Sequence, residues 1–598
     1  MKRKPHFLLF LLSLLIVVAL LSSCTHKEVV SSEDLYFQAL ELESAEEYDK
    51  AVTALTACLE RKDEWAETVS RELLDLWIDH PFIDIPERVM KLAREYHPLT
   101  GSTLRMKIDY PTTYSALTMS GFSETILNDI GSSWVSSATD RLTAAQLMAE
   151  TAGLLENGRR KWTCFFYAGR LYEKNGTSTY ETALSFYKAA QNEAYDELSY
   201  DRPLWYFLEL SRKMNPQSLA GHLADYSLTW HDPAYFDDFL DRLASDLLSH
   251  YEWNLFCRVY SENEVNFSND MRAKYAVISA RLLESGLSTG TLSEDPAALY
   301  TVALENASYG TYYDLIARLR TGTPFPAQVS QVIPAPEADT PQETLSPETD
   351  ALQDERASFT ERLLGKYIEY DYPERAWNCL KNNSMTLSAP AITAAYNYLL
   401  SKPDSCTQFL SLTSLALQTF RARPEEAAFL ELAFPPYYRT LIETESRNTG
   451  IDAWLLFALV HSESSFQADI TSSAGAHGLT QLMESTAGDV ARKLKIDSYD
   501  LNDAQTNVQF GSFYLAELIS RLDGDILLAA FSYNAGITRV RNWKRQSPSL
   551  PPDIFLETLP YEETRLYGQK IARAAVMYGT LYYGENYADI LEKILKIG

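Results

Sequence analysis

The sequence predicts an all-α protein, and two observations carry that prediction. From Ser32 to about Arg320, apolar residues recur at helical spacings, with few of the alternating runs that mark strands. The same periodicity resumes near Phe359 and continues through Leu432. At 598 residues and 46% hydrophobic content, the chain has room for several cores.

The N-terminus reads as an export signal. Lys2-Arg3-Lys4 is basic and Phe7 to Leu21 is almost wholly apolar, too short for an ordinary membrane span. Leu21-Ser22-Ser23-Cys24 resembles the bacterial lipoprotein box, which implies cleavage of residues 1–23 and lipidation of Cys24. Thr25 is not the aspartate of an inner-membrane retention signal. The resemblance therefore implies a lipid-anchored protein of the cell envelope, at the outer membrane facing the periplasm where the cell has two membranes.

With 53 Lys+Arg against 81 Asp+Glu and a net charge of -28, phosphate-held nucleic acid is excluded as a partner. Cys58, Cys164, Cys257, Cys379 and Cys406 lie far apart, without the close pairs of a metal or redox site. They read as small buried residues, and no metal or cofactor is expected.

Residues 24–321 are expected to form an α-helical superhelix or solenoid. Ala39, Tyr48, Ala51 and Cys58, and again Gly169, Tyr180, Ala183 and Ala190, place Tyr three before Ala and a small residue seven after it. Both groups resemble tetratricopeptide-type helix pairs, although any close antiparallel pair of helices produces such a pattern. Residues 322–356 change character, with Pro324, Pro326, Pro334, Pro336, Pro341 and Pro347 interleaved with acids, and read as a solvated insertion. Residues 357–435 continue the helical region until Pro435-Pro436, and 436–598 form the last domain.

That domain holds the candidate chemistry. A helix is expected to start near Asp452, capped by its side chain, with Gly450 turning the chain in. Trp454 to Val460 is apolar on every side, so the helix is buried and Glu463 emerges at its end. A carboxyl short of water keeps its proton toward neutral pH and can donate it. An exposed glutamate at a helix end is the plainer alternative.

The surrounding motifs decide between these. Glu463-Ser464, then Gly475-Ala476-His477-Gly478-Leu479-Thr480-Gln481-Leu482-Met483, then Ala530-Phe531-Ser532-Tyr533-Asn534-Ala535-Gly536, then Pro560-Tyr561-Glu562-Glu563-Thr564-Arg565 stand in one order. Over Ile451 to Tyr567 this resembles the soluble lytic transglycosylases, which share the goose-type lysozyme fold (glycoside hydrolase family 23). The long helical half in front resembles the larger, doughnut-shaped members by architecture alone.

The resemblance implies a lysozyme-like catalytic domain acting on peptidoglycan glycan strands. Glu463 would protonate the oxygen between N-acetylmuramic acid and N-acetylglucosamine, then take the C6 hydroxyl proton of the muramoyl unit, leaving a 1,6-anhydro end. It further implies Ser472, Gln481, Met483, Tyr533 and Glu563 as groove residues and Ser464 and Asn534 as supports beside the substrate. Gly475 and Gly478 would let backbone approach a sugar. Met483 and Tyr533 offer apolar faces, and Tyr533 a hydroxyl for the acid or an acetamide. No second acid occupies an obvious partner position, with Asp469 and Asp489 left open. Thr480, Glu484 and Ile537 depart from the family pattern, Thr480 pointing to an altered subsite. Two rival readings remain: a water-using muramidase on the same fold, and a silent glycan-binding scaffold whose helical half docks envelope proteins.

Lipidation at Cys24 has a direct consequence. Cys24→Ala should move the protein from the membrane pellet to the soluble periplasmic fraction on cell fractionation, and an unchanged pellet refutes the anchor.

Overall fold

The computed structural model describes residues 31–79, 88–89, 92, 115–138, 140–289, 295–325, 359–402, 405–422 and 428–597. Residues 1–30, which hold the stretch read as an export signal and Cys24, lie outside them, as do 326–356 of the acidic, proline-rich stretch. The chain packs into two compact units, Met1–Ile108 and Asp109–Gly598, the first ending inside the span 24–321 read as one domain. Both are helical, and among the described residues no helix is long and apolar enough to cross a membrane.

In the first unit, α1 (Ser32–Ser44) packs on α2 (Tyr48–Leu59). Ser31 caps α1 reciprocally with Asp34, which satisfies two otherwise unpaired amides. Ala39, Ala51 and Cys58, three of the small residues picked out by pattern, are fully buried.

The second unit repeats the arrangement with α3 (Arg159–Asn175) against α4 (Tyr180–Asn192). Gly169 on α3 faces Tyr187 of α4 so closely that an added Cβ would lie 2.7 Å from the ring. Ala183 and Ala190 are fully buried beside it, so the small residues serve close helix approach. Cys58, Cys164, Cys257 and Cys379 are buried, in line with an apolar role, and Cys406 lies where side chains are outside the described ones.

The expectation for the start of the acidic stretch is corrected. Gly322 ends a helix in left-handed conformation, Phe325 stacks on Tyr309 at 4.9 Å, and Tyr587 donates to the Thr323 carbonyl at 2.7 Å. Thr323–Phe325 is a packed strap, because the aromatic between the prolines finds a partner that composition alone does not reveal.

The C-terminal part of the second unit is arranged around one long helix. After α5 (Asn269–Glu284), α6 (Tyr312–Thr321) and α7 (Arg439–Thr449) comes α8 (Ala453–Ser464), the helix that carries Glu463. A small hairpin of β1 (Ala476–His477) and β2 (Leu482–Met483) follows, in antiparallel register Ala476 to Met483. Then come α9 (Glu484–Leu494), α10 (Ala504–Arg521), α11 (Ile526–Ala535), α12 (Ile537–Gln546), α13 (Pro552–Glu557), α14 (Glu562–Tyr583) and α15 (Tyr587–Leu595). Helix α14 packs on α8, α11, α13 and α15. Gly568 and Gly579 make that possible: added Cβ atoms would lie 2.4 Å from Phe531 and 2.2 Å from Ile590.

Polar anchors tie α14 and α13 to the preceding helices. Arg565, 1% exposed, reaches Asp241 and Ser245, and Lys274 pairs with the same Asp241. Arg281 forks onto Asp553, and Tyr313 donates to Glu557 at 3.0 Å. Burial opposes the charge on Asp241, but Lys274 and Arg565 outweigh it and hold that carboxyl below its ordinary value. Arg565 of the last sequence motif is therefore a packing anchor.

Candidate active site

Helix α8 forms because Trp454 through Val460 leave water together; each is 3% exposed or less. Removing a large apolar side chain from water contributes about 1.5–3 kcal/mol, which fixes the helix and with it the height of Glu463. Gly450 enters in left-handed conformation at φ 74°, as expected from sequence. The expected cap does not form. Asp452 receives no amide through its side chain and pairs with Lys593 of α15 instead. Past Ser464 the chain leaves the helix through two successive left-handed residues, Ser465 and Phe466, at φ 50° and 65°.

Glu463 is half-buried, and its Oε1 accepts a hydrogen bond from the Tyr567 hydroxyl at 2.6 Å. Burial pushes its carboxyl up to about 7, the Tyr567 hydrogen bond opposing and the charge of Glu563 adding to the rise. A carboxyl so placed is part protonated near neutral pH, which suits proton donation followed by proton uptake. Glu563 and Tyr567 sit one turn apart on α14, so a single helix presents both to Glu463. Tyr567 was absent from the sequence expectations; a tyrosine among the apolar residues of a long helix looks like core until its partner, 104 positions away, is seen.

The hairpin wall is built from backbone staples. Ser464 is buried and donates to the carbonyls of Leu479, at 2.7 Å, and Val460. Its hydroxyl is thus engaged within the protein. Ser472 closes the approach to β1, its hydroxyl accepting from the Ala476 amide at 3.0 Å. Gln481 adopts φ 47° and its amide donates to the carbonyls of Gly478 and Ile470. Met483 stands out from β2 and is 43% exposed.

Two sequence expectations about this loop are overturned. Gly478, at φ 70°, is buried, and a Cβ there would lie 2.2 Å from the Asn507 amide and 2.6 Å from the Leu501 carbonyl. Its smallness serves the packing of the protein on itself, while Gly475 stays in an open turn. Thr480 is 1% exposed, so its side chain does not reach the surface. Its amide and hydroxyl both donate to the Asn507 side chain, whose NH2 group holds the carbonyls of His477 and Leu501 at 2.8 Å. Asn507, on α10, is a hub that sequence reading missed, since nothing local marks it.

Tyr533 on α11 donates to the Thr480 carbonyl at 2.9 Å, so its hydroxyl is directed at the loop backbone. Burial keeps its phenol well above the ordinary value, with the Glu463 charge the next cause. Asn534 accepts from Thr564 at 2.8 Å and turns its NH2 toward exposed Glu563 at 3.4 Å. Glu463, Tyr533, Asn534, Glu563 and Tyr567 are therefore brought together, with Ser464, Ser472 and Gln481 shaping the loop beside them. Asp489 pairs with Arg492 on α9, and Asp469 sits exposed near Tyr438, so Glu563 is the acid that acts on Glu463. Glu484 is exposed and receives the Tyr499 hydroxyl at 2.8 Å. His461, two residues from the acid, hydrogen-bonds Tyr578 at 3.0 Å; burial first, then Arg573 and Lys570, drive it down to about 3. It is neutral and structural.

Residues 440–555 match the Transglycosylase SLT domain. The chain is 31% identical over 147 residues to the soluble lytic murein transglycosylase of Salmonella typhimurium, covering 24% of this chain and 23% of that protein. It is 31% identical over 157 residues to the membrane-bound lytic murein transglycosylase F of Actinobacillus succinogenes, covering 24% of this chain and 31% of that one. The matches thus span about a quarter to a third of those relatives. The 70 kDa soluble lytic transglycosylase of Escherichia coli aligns at a TM-score of 0.45 and 16% identity, over 94% of this chain and 88% of that one. This chain carries a transglycosylase SLT domain homologous to those of the soluble lytic murein transglycosylases.

Two measurements test the electrostatics. An acid raised from 4.5 to about 7 binds its proton more tightly folded than unfolded. Its stabilising share is full below the unfolded value and is lost as the pH rises through about 7, a difference of roughly 3 kcal/mol at most. Glu463→Gln should therefore be more stable than the parent to urea at pH 8 and equal to it at pH 4. Tyr567→Phe removes a hydrogen bond to the charged form, so a carbon-13 titration of Glu463 should move upward by up to about one pH unit.

Proposed function

We propose that this protein is a peptidoglycan lytic transglycosylase of the cell envelope, with Glu463 as its single acid/base. The observation that carries the reading is a carboxyl raised to about 7 in an SLT domain, held by Tyr567 and facing a loop of stapled backbone. Glu463 gives its proton to the oxygen linking N-acetylmuramic acid to N-acetylglucosamine, and the C1–O bond breaks. The resulting carboxylate takes the proton of the muramoyl C6 hydroxyl, whose oxygen closes on C1. One carboxyl serves because the nucleophile belongs to the substrate, whereas a hydrolase commonly uses two. Attack within one ring gains the proximity advantage of intramolecular reactions. Tyr567 keeps the carboxyl in one orientation, and Met483 and Tyr533 offer surface to sugar faces.

The same reading places the protein on a lipid anchor at Cys24, its helical region serving glycan strands or envelope protein partners. Glu563, the acid that acts on Glu463, gives the muramidase reading its one specific support.

Digestion of purified sacculi followed by mass spectrometry distinguishes the readings. Released fragments should end in anhydromuramoyl units one water lighter than reducing ends, with no oxygen taken from labelled water. Incorporated label means hydrolysis. Glu463→Gln should lower release by about 100- to 10,000-fold, and equal release from variant and parent returns the protein to a binding scaffold.

A further inference from the structure

One strongly basic face stands in a chain that is acidic overall. Helix α12 carries Arg539, Arg541, Lys544 and Arg545 within ten residues and no acid, while the whole chain has a net charge of -28. Buried Val540 pins the helix and leaves Arg539, Arg541 and Arg545 exposed. Arg541, Lys544 and Arg545, with Arg521 at the end of α10, line a hollow of about 510 Å³, and among the described residues Asp523 is the one acid in its wall.

Those charges are poorly compensated. Arg541 donates to the Arg521 carbonyl at 2.9 Å and Lys544 to the Leu550 carbonyl at 3.3 Å. Arg545 is held by the Asn542 side chain and the Arg541 carbonyl. Among the described residues none of these three has a carboxylate within ion-pair distance, and Arg521 has Glu517 at 3.5 Å, shared with Lys493. Neutral oxygens therefore orient the cations without cancelling their charge. Burial draws the Lys544 ammonium below its ordinary value, opposed by Asp525 and helped by Lys596, and an incoming anion relieves that cost.

The surroundings select the partner. Arg539 and Trp543, one turn apart on α12, both pack on Tyr561, the guanidinium 5.1 Å and the indole 5.4 Å from the centre of its ring. That ring is 50% exposed. Tyrosine and tryptophan beside clustered arginine and lysine are the side chains that settle at the headgroup level of a bilayer. A small soluble anion would fill the hollow and leave the aromatic flank unused, whereas a lipid surface engages both. Exposed Glu562 and Glu563 mark the edge of the face. Acids farther off count for little, because at physiological salt a charge is screened over about 8 Å.

We propose that the face made by α12, the hollow it lines and the exposed ring of Tyr561 docks on an anionic phospholipid surface, a headgroup phosphate entering among Arg521, Arg541, Lys544 and Arg545. Such docking is independent of the transglycosylase chemistry and of lipidation at Cys24.

Vesicle co-sedimentation tests it on the mature chain, residues 24–598 with Cys24→Ala, so that neither the export stretch nor acyl chains take part. Vesicles of equal parts phosphatidylglycerol and phosphatidylcholine should bind this parent at least about 25-fold more tightly than pure phosphatidylcholine. Each cation near an anionic surface strengthens binding about fivefold, so R541Q/R545Q should bind the mixed vesicles about 25-fold more weakly than the parent. K50Q/R71Q removes the same charge from exposed positions elsewhere and should bind like the parent. Equal binding to both vesicle types, binding to neither, an R541Q/R545Q variant with the parent's affinity, or an equal loss in K50Q/R71Q overturns the proposal. Capture of inorganic pyrophosphate in calorimetry, without preference for the mixed vesicles, assigns the hollow to a soluble anion and also overturns it. Should R541Q/R545Q lose its thermal transition, R545Q alone, at an exposed position, should weaken binding to the mixed vesicles about fivefold, and unchanged affinity overturns the proposal.

Discussion

The site depends on one act of desolvation. Glu463 stands where seven apolar side chains have already left water, so ionising it costs free energy that a surface glutamate does not meet. The Tyr567 hydrogen bond limits that rise, and the balance leaves the carboxyl near 7, where both of its forms are accessible. Without burial, Glu463 would be a spent base; without the tyrosine, it would be harder to ionise after donating.

Helix α14 makes that balance mechanically secure. Its first turns offer Glu563 and Tyr567 to the acid, while Arg565 between them is locked to Asp241 on a helix of the preceding region. A buried arginine of this kind contributes little net stability but penalises any other register, because removing either partner strands a charge. The phase of α14, and with it the position of the tyrosine, is thereby set from helices that precede the SLT segment.

Much of this was legible in the sequence for physical reasons. Glu463 was found because an all-apolar helix has few orientations open to a terminal carboxyl, and the small residues at Ala39, Gly169 and Ala183 because close crossings exclude larger ones. Tyr533, Asn534 and Glu563 followed from motif order and meet near the acid. Tyr567, Asn507 and the Arg565–Asp241 pair were not legible, since each acts through a partner distant in sequence. Thr480 and Gly478 were misjudged for the complementary reason: loops rich in small polar residues resemble ligand cradles, and only packing shows that they face inward.

The exit of the chain at Ser465 and Phe466 has an electrostatic consequence of its own. By breaking there, α8 places Glu463 in its final turn, at the end of the macrodipole where free carbonyls gather partial negative charge. A carboxylate is disfavoured at that pole, so helix polarity works in the same direction as burial to return a proton to the side chain. Were the helix to run one more turn, the acid would move away from that pole and hold its proton less firmly.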